Sequence, residues 1–281
     1  MTHLPTDHSS EVKSGQRFQF GENWAHFLRA LDESRIVTAE QSLKTMLGRE
    51  SLAGLSFVDV GSGSGLFSLA ARRLGATVLS FDFDPQSVQC AAALRSRYFS
   101  NDSSWTIHEG SALDAGFIEG LGQFDIVYSW GVLHHTGNMW KGLDLVTRLV
   151  GPSGQLFIAI YNDQGYISRR WARIKKLYCS GRLGRSIVKA ICIPYFVLPP
   201  LLLDLVKLRD PTRLYREYRR ERGMSKLHDW YDWLGGYPFE VARPEEIFDF
   251  YTGRGFLMER MTTCGGGLGC NQFVFRRPLR D

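Results

Sequence analysis

A chain of 281 residues with 44% apolar content has the size and composition of one large domain, or of a domain carrying an insertion, which excludes a disordered or fibrous protein. Its five cysteines (Cys90, Cys179, Cys192, Cys264 and Cys270) are scattered, with no Cys-x-x-Cys and no zinc-type histidine spacing, so neither a disulfide framework nor a metal centre is expected and the thiols read as reduced and cytosolic. The formal charge of +5 is unevenly held: residues 166–222 carry 15 Lys/Arg against 4 Asp/Glu, a net +11, which leaves the remainder at −6.

Residues 1–15 are polar, have neither the basic start nor the apolar segment of a secretory signal, and are expected to form a flexible tail. FVDV (57–60) reads as a buried strand and Leu66 to Leu74 as a helix, with Leu66, Leu69, Ala70 and Leu74 near one face. ATVLSFDFD is an apolar strand ending in acids, and Pro85 suits the first turn of a helix running to about Arg97. WTIHEG, FDIVYSWGV and GQLFIAIYN are further strands, the last two separated by the helix-compatible WKGLDLVTRLV. Strands alternating with helices predict an α/β fold, a Rossmann-like, doubly wound and mostly parallel sheet. FLMERMTT and NQFVFRR, joined by CGGGLGC, predict a closing antiparallel pair. The organisation expected is therefore a cofactor-binding core with N-terminal helices at 16–165, a basic and apolar helical insertion at 166–235, and the C-terminal part of the core at 236–281.

Within the insertion, the uncharged run Ala190 to Leu203 is 14 residues long and contains Pro194, Pro199 and Pro200. A spanning helix needs about 20 apolar residues, so the segment reads as a helical cap on the sheet. The same features suit a surface that touches membrane or a lipid-linked substrate, with Arg169, Arg170, Lys175 and Lys176 supplying the electrostatic part.

The chemistry centres on residues 57–65, FVDVGSGSG. Alternate glycines are a poor continuation of a strand, but they turn sharply and let a ligand lie against the backbone at a helix N-terminus. Asp82 follows Gly61 by 21 residues, at the end of the next strand, where a carboxylate can accept both ribose hydroxyl hydrogens of an adenosine. Nicotinamide dinucleotides, flavin dinucleotides and S-adenosylmethionine all use such an arrangement. The dinucleotide fingerprint is G-x-G-x-x-G, whereas Asp59 to Gly65 read D-x-G-x-G-x-G; the acid repels pyrophosphate but could help hold a cationic amino-acid tail.

This segment resembles motif I of the class I S-adenosylmethionine-dependent methyltransferases, and the likeness runs through residues 55–162. The resemblance implies a cofactor site built from Asp59, Gly61, Gly63, Gly65 and the ribose-binding Asp82. It adds Ser111 and Ala112 in GSALD beside the adenine, with Ser111 where Asp is commoner, and Ser129 and Trp130 in FDIVYSWGVLHH at the methionine end. The His134–His135 pair is similar to the ubiquinone-biosynthesis-like branch of that family, and FQFGENWAHF, HDWYDWLGGYPFE and CGGGLGCNQFVF look like a bacterial subgroup of it.

Methyl transfer from a sulfonium is an in-line displacement that needs no metal, and a base removing the acceptor's proton adds to the rate. His135 and His134 are the first candidates for that base and Asp163 the reserve. Tyr161 and Asn162, at the end of the fifth strand, with His228 and Asp232 in the aromatic segment closing the insertion, are candidate substrate contacts; Trp24 could cover the cofactor from the N-terminal side. The reading is a cytoplasmic S-adenosylmethionine-dependent methyltransferase, O-methylating a small molecule or glycan that could be lipid-linked, and peripheral on the inner face of the membrane through 166–222. An RNA methyltransferase is the alternative within the enzyme class, because +11 could neutralise phosphates, and a non-catalytic cofactor-binding interaction protein is the alternative outside it.

Overall fold

The computed structural model describes residues 7–207, 210, 230 and 233–279. Three helices, α1 (His8–Lys13), α2 (Gly21–Arg29) and α3 (Glu33–Leu47), precede the sheet. The alternating part then runs β1 (Ser56–Val60), α4 (Leu66–Arg73), β2 (Thr77–Asp82), α5 (Pro85–Tyr98), β3 (Trp105–Glu109), α6 (Ala115–Gly120), β4 (Phe124–Trp130), a 3-10 turn at Leu133–His135, α7 (Met139–Thr147) and β5 (Val150–Tyr161). After it come α8 (Tyr166–Cys179), α9 (Arg182–Val206), α10 (Pro244–Thr252), β6 (Leu257–Thr262) and β7 (Cys270–Arg276).

The seven strands form one sheet in the order β3-β2-β1-β4-β5-β7-β6. β1 to β5 are parallel, and β7 runs antiparallel to both β5 and β6, so the predicted doubly wound sheet with a closing antiparallel pair is what the chain builds. The alternation of side chains along a strand divides the core in two. On β1, Phe57 joins Ile36, Leu43, Leu69 and Leu94 from α3, α4 and α5 on one face. Val58 and Val60 join Leu143, Val146, Ile247 and Tyr251 from α7 and α10 on the other. The strand order reverses between β1 and β4, and the crevice at their carboxyl ends is where an open α/β sheet accepts a ligand.

Two expectations change in detail. Residues 8–13, assigned by composition to the flexible tail, form α1, because His8 packs edge-on against Phe83 and lies 3.6 Å from the Asp84 carboxylate. The prolines do not break the insertion's apolar helix: α9 runs 25 residues through Pro194, Pro199 and Pro200. Each proline removes one donor, while the bonds on either side continue the spiral. Trp171 and Tyr178 of α8, Val188 and Cys192 of α9, and Leu234 form a third cluster outside the sheet.

Candidate active site

The glycine loop leaves β1 with three left-handed residues, φ being 75° at Gly61, 53° at Gly63 and 80° at Gly65, a conformation that a side chain makes costly. Close approach adds to the demand. A Cβ on Gly65 would stand 2.9 Å from the Ala91 backbone, and one on Gly63 would stand 3.0 Å from the Trp24 indole. Trp24, carried on α2, thus covers the loop from the N-terminal side.

Asp82 ends β2 with both carboxylate oxygens engaged: Oδ2 accepts the Gly63 N–H at 2.8 Å and Oδ1 the Asp84 N–H at 2.9 Å. Burial pushes its pKa up to about 6 against those two bonds. Asp59 is placed differently from a ligand-facing acid. It is buried and takes the Ser68 hydroxyl at 2.5 Å; Ser68 accepts from Ser80 at 2.8 Å, and Ser80 from the Trp105 indole at 2.7 Å. That relay ties β1 to α4, β2 and β3, and burial pushes Asp59 to about 7, helped by the charge of Asp82. Ser111 turns its hydroxyl to the Leu113 N–H, and Ala112 is buried beside it. Ser129 is fully buried and donates to the Val60 carbonyl, while Trp130 reaches across the sheet to Gln272 on β7; both side chains are committed to the sheet.

His134 and His135 follow β4, and their hydrogen bonds assign different tautomers. The Tyr161 N–H donates to Nδ1 of His134 at 3.2 Å, so Nε2 carries the proton and lies buried with no hydrogen-bond partner among the described residues. In His135, Nδ1 lies 2.6 Å from the Pro238 carbonyl, which can only accept, so Nδ1 carries the proton and Nε2 keeps its lone pair. Burial lowers both pKa values, that of His134 well below the ordinary range and that of His135 to about 3; the charges of Lys175 and Arg17 add to the effect on His135. Both imidazoles thus stand below the ordinary histidine pKa near 6.5 and are neutral at physiological pH.

Three remote segments enclose the pair. From the N-terminal side, Arg17 donates to the carbonyls of His135 and Thr136, and Phe20 packs 5.0 Å from the His135 ring. From β5, the Tyr161 ring lies 4.0 Å from His134 and 5.5 Å from His135. From the far side of the insertion come Pro238 and Glu240, whose N–H donates to the His134 carbonyl. Lys175, read from the sequence as one of several surface cations, is instead 1% exposed. Its ammonium stands 4.0 Å over the Trp233 ring and 4.9 Å over Phe239, and donates to the Trp233 carbonyl. No local pattern distinguishes Lys175 from Lys176 beside it, apart from a helical period that places Trp171, Lys175 and Tyr178 on one face.

Asn162 is occupied by Asn271 and the Gly267 carbonyl, and Asp163 accepts the Gly165 N–H. Both line a separate open cleft of about 590 Å3 with Arg243, Glu245 and Gly265, to which no glycine-loop residue contributes. The structure therefore gathers His134, His135 and Tyr161 and sets Asp163 apart from them. His228 and Asp232 lie outside the described residues. Asp84 was missed: it caps α5 through the Gln86 N–H and clamps α2 through the Gly21 N–H at 2.8 Å, which the N-cap-before-proline pattern of FDFDP could have disclosed. No group of residues that could hold a metal ion occurs among the described residues.

A family described as "Methyltransferase domain" matches residues 58–158. The ubiquinone biosynthesis O-methyltransferase of Escherichia fergusonii is 32% identical over 180 residues, covering 63% of this chain and 67% of the relative. The protein of the same name from Caulobacter sp. (strain K31) is 28% identical over 115 residues, 41% of this chain and 44% of the relative, so this chain spans less than half the length of that relative. Among solved structures, the magnesium protoporphyrin IX methyltransferase of Synechocystis PCC 6803 with bound SAM is 12% identical, with a TM-score of 0.55 over 99% of this chain and 100% of that one. An O-methyltransferase family protein from Burkholderia thailandensis is 16% identical, with a TM-score of 0.55 over 96% of this chain and 67% of that one. At such identities the two structures speak for the fold.

Proposed function

Because this chain belongs to the class I S-adenosylmethionine-dependent methyltransferases, in their ubiquinone-biosynthesis-like branch, we propose that it O-methylates a small molecule or glycan, and that this acceptor is lipid-linked. The residues fit the family's cofactor: a backbone loop that a side chain would fill, a strand-end carboxylate beside it, and an indole above it. Gly61, Gly63 and Gly65 would hold the cofactor against the backbone, Asp82 would take its ribose hydroxyls, and Trp24 would exclude water from above. When bound there, S-adenosylmethionine would supply a methyl group on a sulfonium for transfer to the acceptor oxygen, with S-adenosylhomocysteine as the leaving group.

The observation that carries the reaction type is the tautomer of His135. With Nδ1 committed to Pro238, Nε2 is free among the described residues to take the acceptor's proton. His134, whose Nδ1 is engaged by Tyr161, serves as its neighbour in the wall.

The low basicity of His135 bears on the acceptor. A base this weak lies closer in pKa to a phenolic or enolic hydroxyl than to an aliphatic one, so the more acidic acceptor gives up its proton to it at the lower cost. A phenolic or enolic hydroxyl therefore suits the site better than a saccharide hydroxyl.

Five free cysteines suit a cytoplasmic protein, peripheral on the inner face of the membrane through residues 166–222. An RNA methyltransferase would use the cations of this segment alone, whereas the exposed face of α9 between them is a continuous apolar stripe that a phosphate backbone does not complement. A non-catalytic cofactor-binding protein is separated by turnover. Calorimetry with S-adenosylmethionine and S-adenosylhomocysteine, followed by a methylation assay on phenol, saccharide and tRNA panels, tests the proposal; tight NAD binding with no heat from either cofactor form rejects it.

A further inference from the structure

Helix α9 carries an exposed apolar face. Its side chains Leu183, Ile187, Ile191, Tyr195, Leu198, Leu202 and Val206 are each between 42% and 81% exposed. They recur at steps of three or four residues, which places them along one side of the helix for its whole length. On the side facing the protein, Val188 and Cys192 are buried with Trp171, Tyr178 and Leu234. Arg182–Asp204 is long and apolar enough to cross a membrane, and 11% of its most apolar stretch is buried. Scattered exposed hydrophobic residues are ordinary, but an unbroken stripe along 25 residues marks a surface built to be covered.

Sheet topology decides how it can be covered. β5 precedes α9 and β7 follows it, yet the two are hydrogen-bonded neighbours, Phe157 opposite Val274. A single crossing by α9 would strand them on opposite sides of the membrane. A return crossing has no sequence to make it, because 13 of the 26 residues 207–232 are charged and a span needs about 20 apolar residues. The helix must lie along the surface. Charge names the surface: Arg169, Arg170, Arg173 and Lys176 on α8, Arg182 and Arg185 at the start of α9, and Lys207 at its end are all exposed. Such cations flanking an apolar stripe complement the headgroups of an anionic leaflet.

The stripe is also joined to the candidate active site. Tyr195, exposed on it, is next to Phe196, and the rings continue from Phe196 to Trp171 (6.0 Å), Trp171 to Trp233 (5.4 Å), Trp233 to Tyr161 (5.9 Å) and Tyr161 to His135 (5.5 Å). A bilayer covering α9 would lie at one end of this aromatic path and the His135 imidazole at the other.

We propose that α9 docks lengthwise in the surface of an anionic bilayer leaflet, and that the acceptor is drawn from that leaflet to the His135 site, to which the Phe196–Trp171–Trp233–Tyr161 ring contacts join the docked helix. The inference rests on the reading above that the acceptor is lipid-linked.

Flotation of the full chain with phosphatidylcholine–phosphatidylglycerol vesicles at low salt tests it. The wild type should float and should be released by alkaline carbonate. A variant with Ile187→Ser, Ile191→Ser, Leu198→Ser and Leu202→Ser should float at least about tenfold less while keeping its melting temperature, since all four side chains already face water. Should that variant fail to fold, Arg169→Gln with Arg170→Gln and Arg173→Gln should reduce flotation and leave the apolar stripe intact. Absence of flotation by the wild type, or equal flotation of wild type and variants, overturns the docking; resistance to carbonate overturns the in-plane arrangement. A wild type that ignores vesicles but sediments as a dimer, with the serine variant monomeric, shows that the stripe is covered by a second copy and also overturns it. S-adenosylhomocysteine calorimetry on the same preparations keeps the readings apart. Cofactor binding without flotation rejects the docking alone, and flotation without cofactor binding rejects the methyltransferase reading.

Discussion

Acid should weaken cofactor binding through Asp82. Its carboxylate can accept two ribose hydroxyl hydrogens only when ionised, and burial pushes its pKa up to about 6 even though the Asp84 and Gly63 N–H groups oppose the shift. The affinity available is then the intrinsic affinity multiplied by the ionised fraction, which falls to about one tenth near pH 5 and is nearly complete near pH 7.5. Titration calorimetry with S-adenosylhomocysteine should accordingly show a Kd about tenfold weaker at the lower pH. Asp82→Asn keeps one carbonyl acceptor, but its amide cannot accept from both Gly63 and Asp84. Losing hydrogen bonds of the charged type costs about 1.5–3 kcal/mol, so the variant should bind about tenfold to about 150-fold more weakly. Its Kd should also be nearly flat across the same pH range. A flat wild-type profile refutes the role given to Asp82, and a slope kept by Asp82→Asn moves the titration to Asp59, which burial pushes to about 7.

Gly63→Val must adopt a φ of 53° and displace the Trp24 indole, so S-adenosylhomocysteine binding should fall at least about tenfold together with the melting temperature, and unchanged calorimetry and melting would refute the close approach seen here. Asp59 carries a raised folded-state pKa, so the folded protein holds a proton that the unfolded chain has released, and its contribution to stability is lost as pH rises from about 4 to about 7. Relative to wild type, Asp59→Asn should therefore gain stability over that range, by a ceiling of about 4 kcal/mol for a shift of about three units, measured by urea unfolding near pH 4.5 and pH 8; a relative loss at the higher pH reverses the argument. His135→Asn should lower kcat about 100-fold or more with cofactor affinity unchanged, partly recovering at high pH. Because its imidazole stays neutral down to about pH 3, the acid limb of the wild-type kcat profile should not follow the ordinary histidine range.

Legibility in the sequence follows the distance between the residues that make each feature. The strands, their parallel order and the glycine loop could be read because each is written in a local period or spacing: the apolar run at β1, the three glycines, and the acid at the end of β2. What could not be read depends on contacts between remote segments. Asp59 matches the motif position of an acid near the cofactor, yet its partner is Ser68, a helix turn beyond the glycines, and the relay ends at Trp105. Ser129 and Trp130 likewise end a strand at the right edge, but Val60 and Gln272 claim their polar atoms. The difference between the two histidines was beyond any local pattern, since one tautomer is set by the Tyr161 amide and the other by the Pro238 carbonyl, 103 residues away. Lys175 makes the same point energetically. A lysine in a basic run reads as solvated, whereas the Trp233 carbonyl and the rings of Trp233 and Phe239, 58 residues or more along the chain, help to make its burial tolerable. The insertion and the candidate active site thus complete each other: the segment after α9 supplies the acceptor for His135 Nδ1 and the cage for the cation beside it. A change in the cap that displaced Pro238 would free that nitrogen and erase the tautomer on which the proposed proton removal depends.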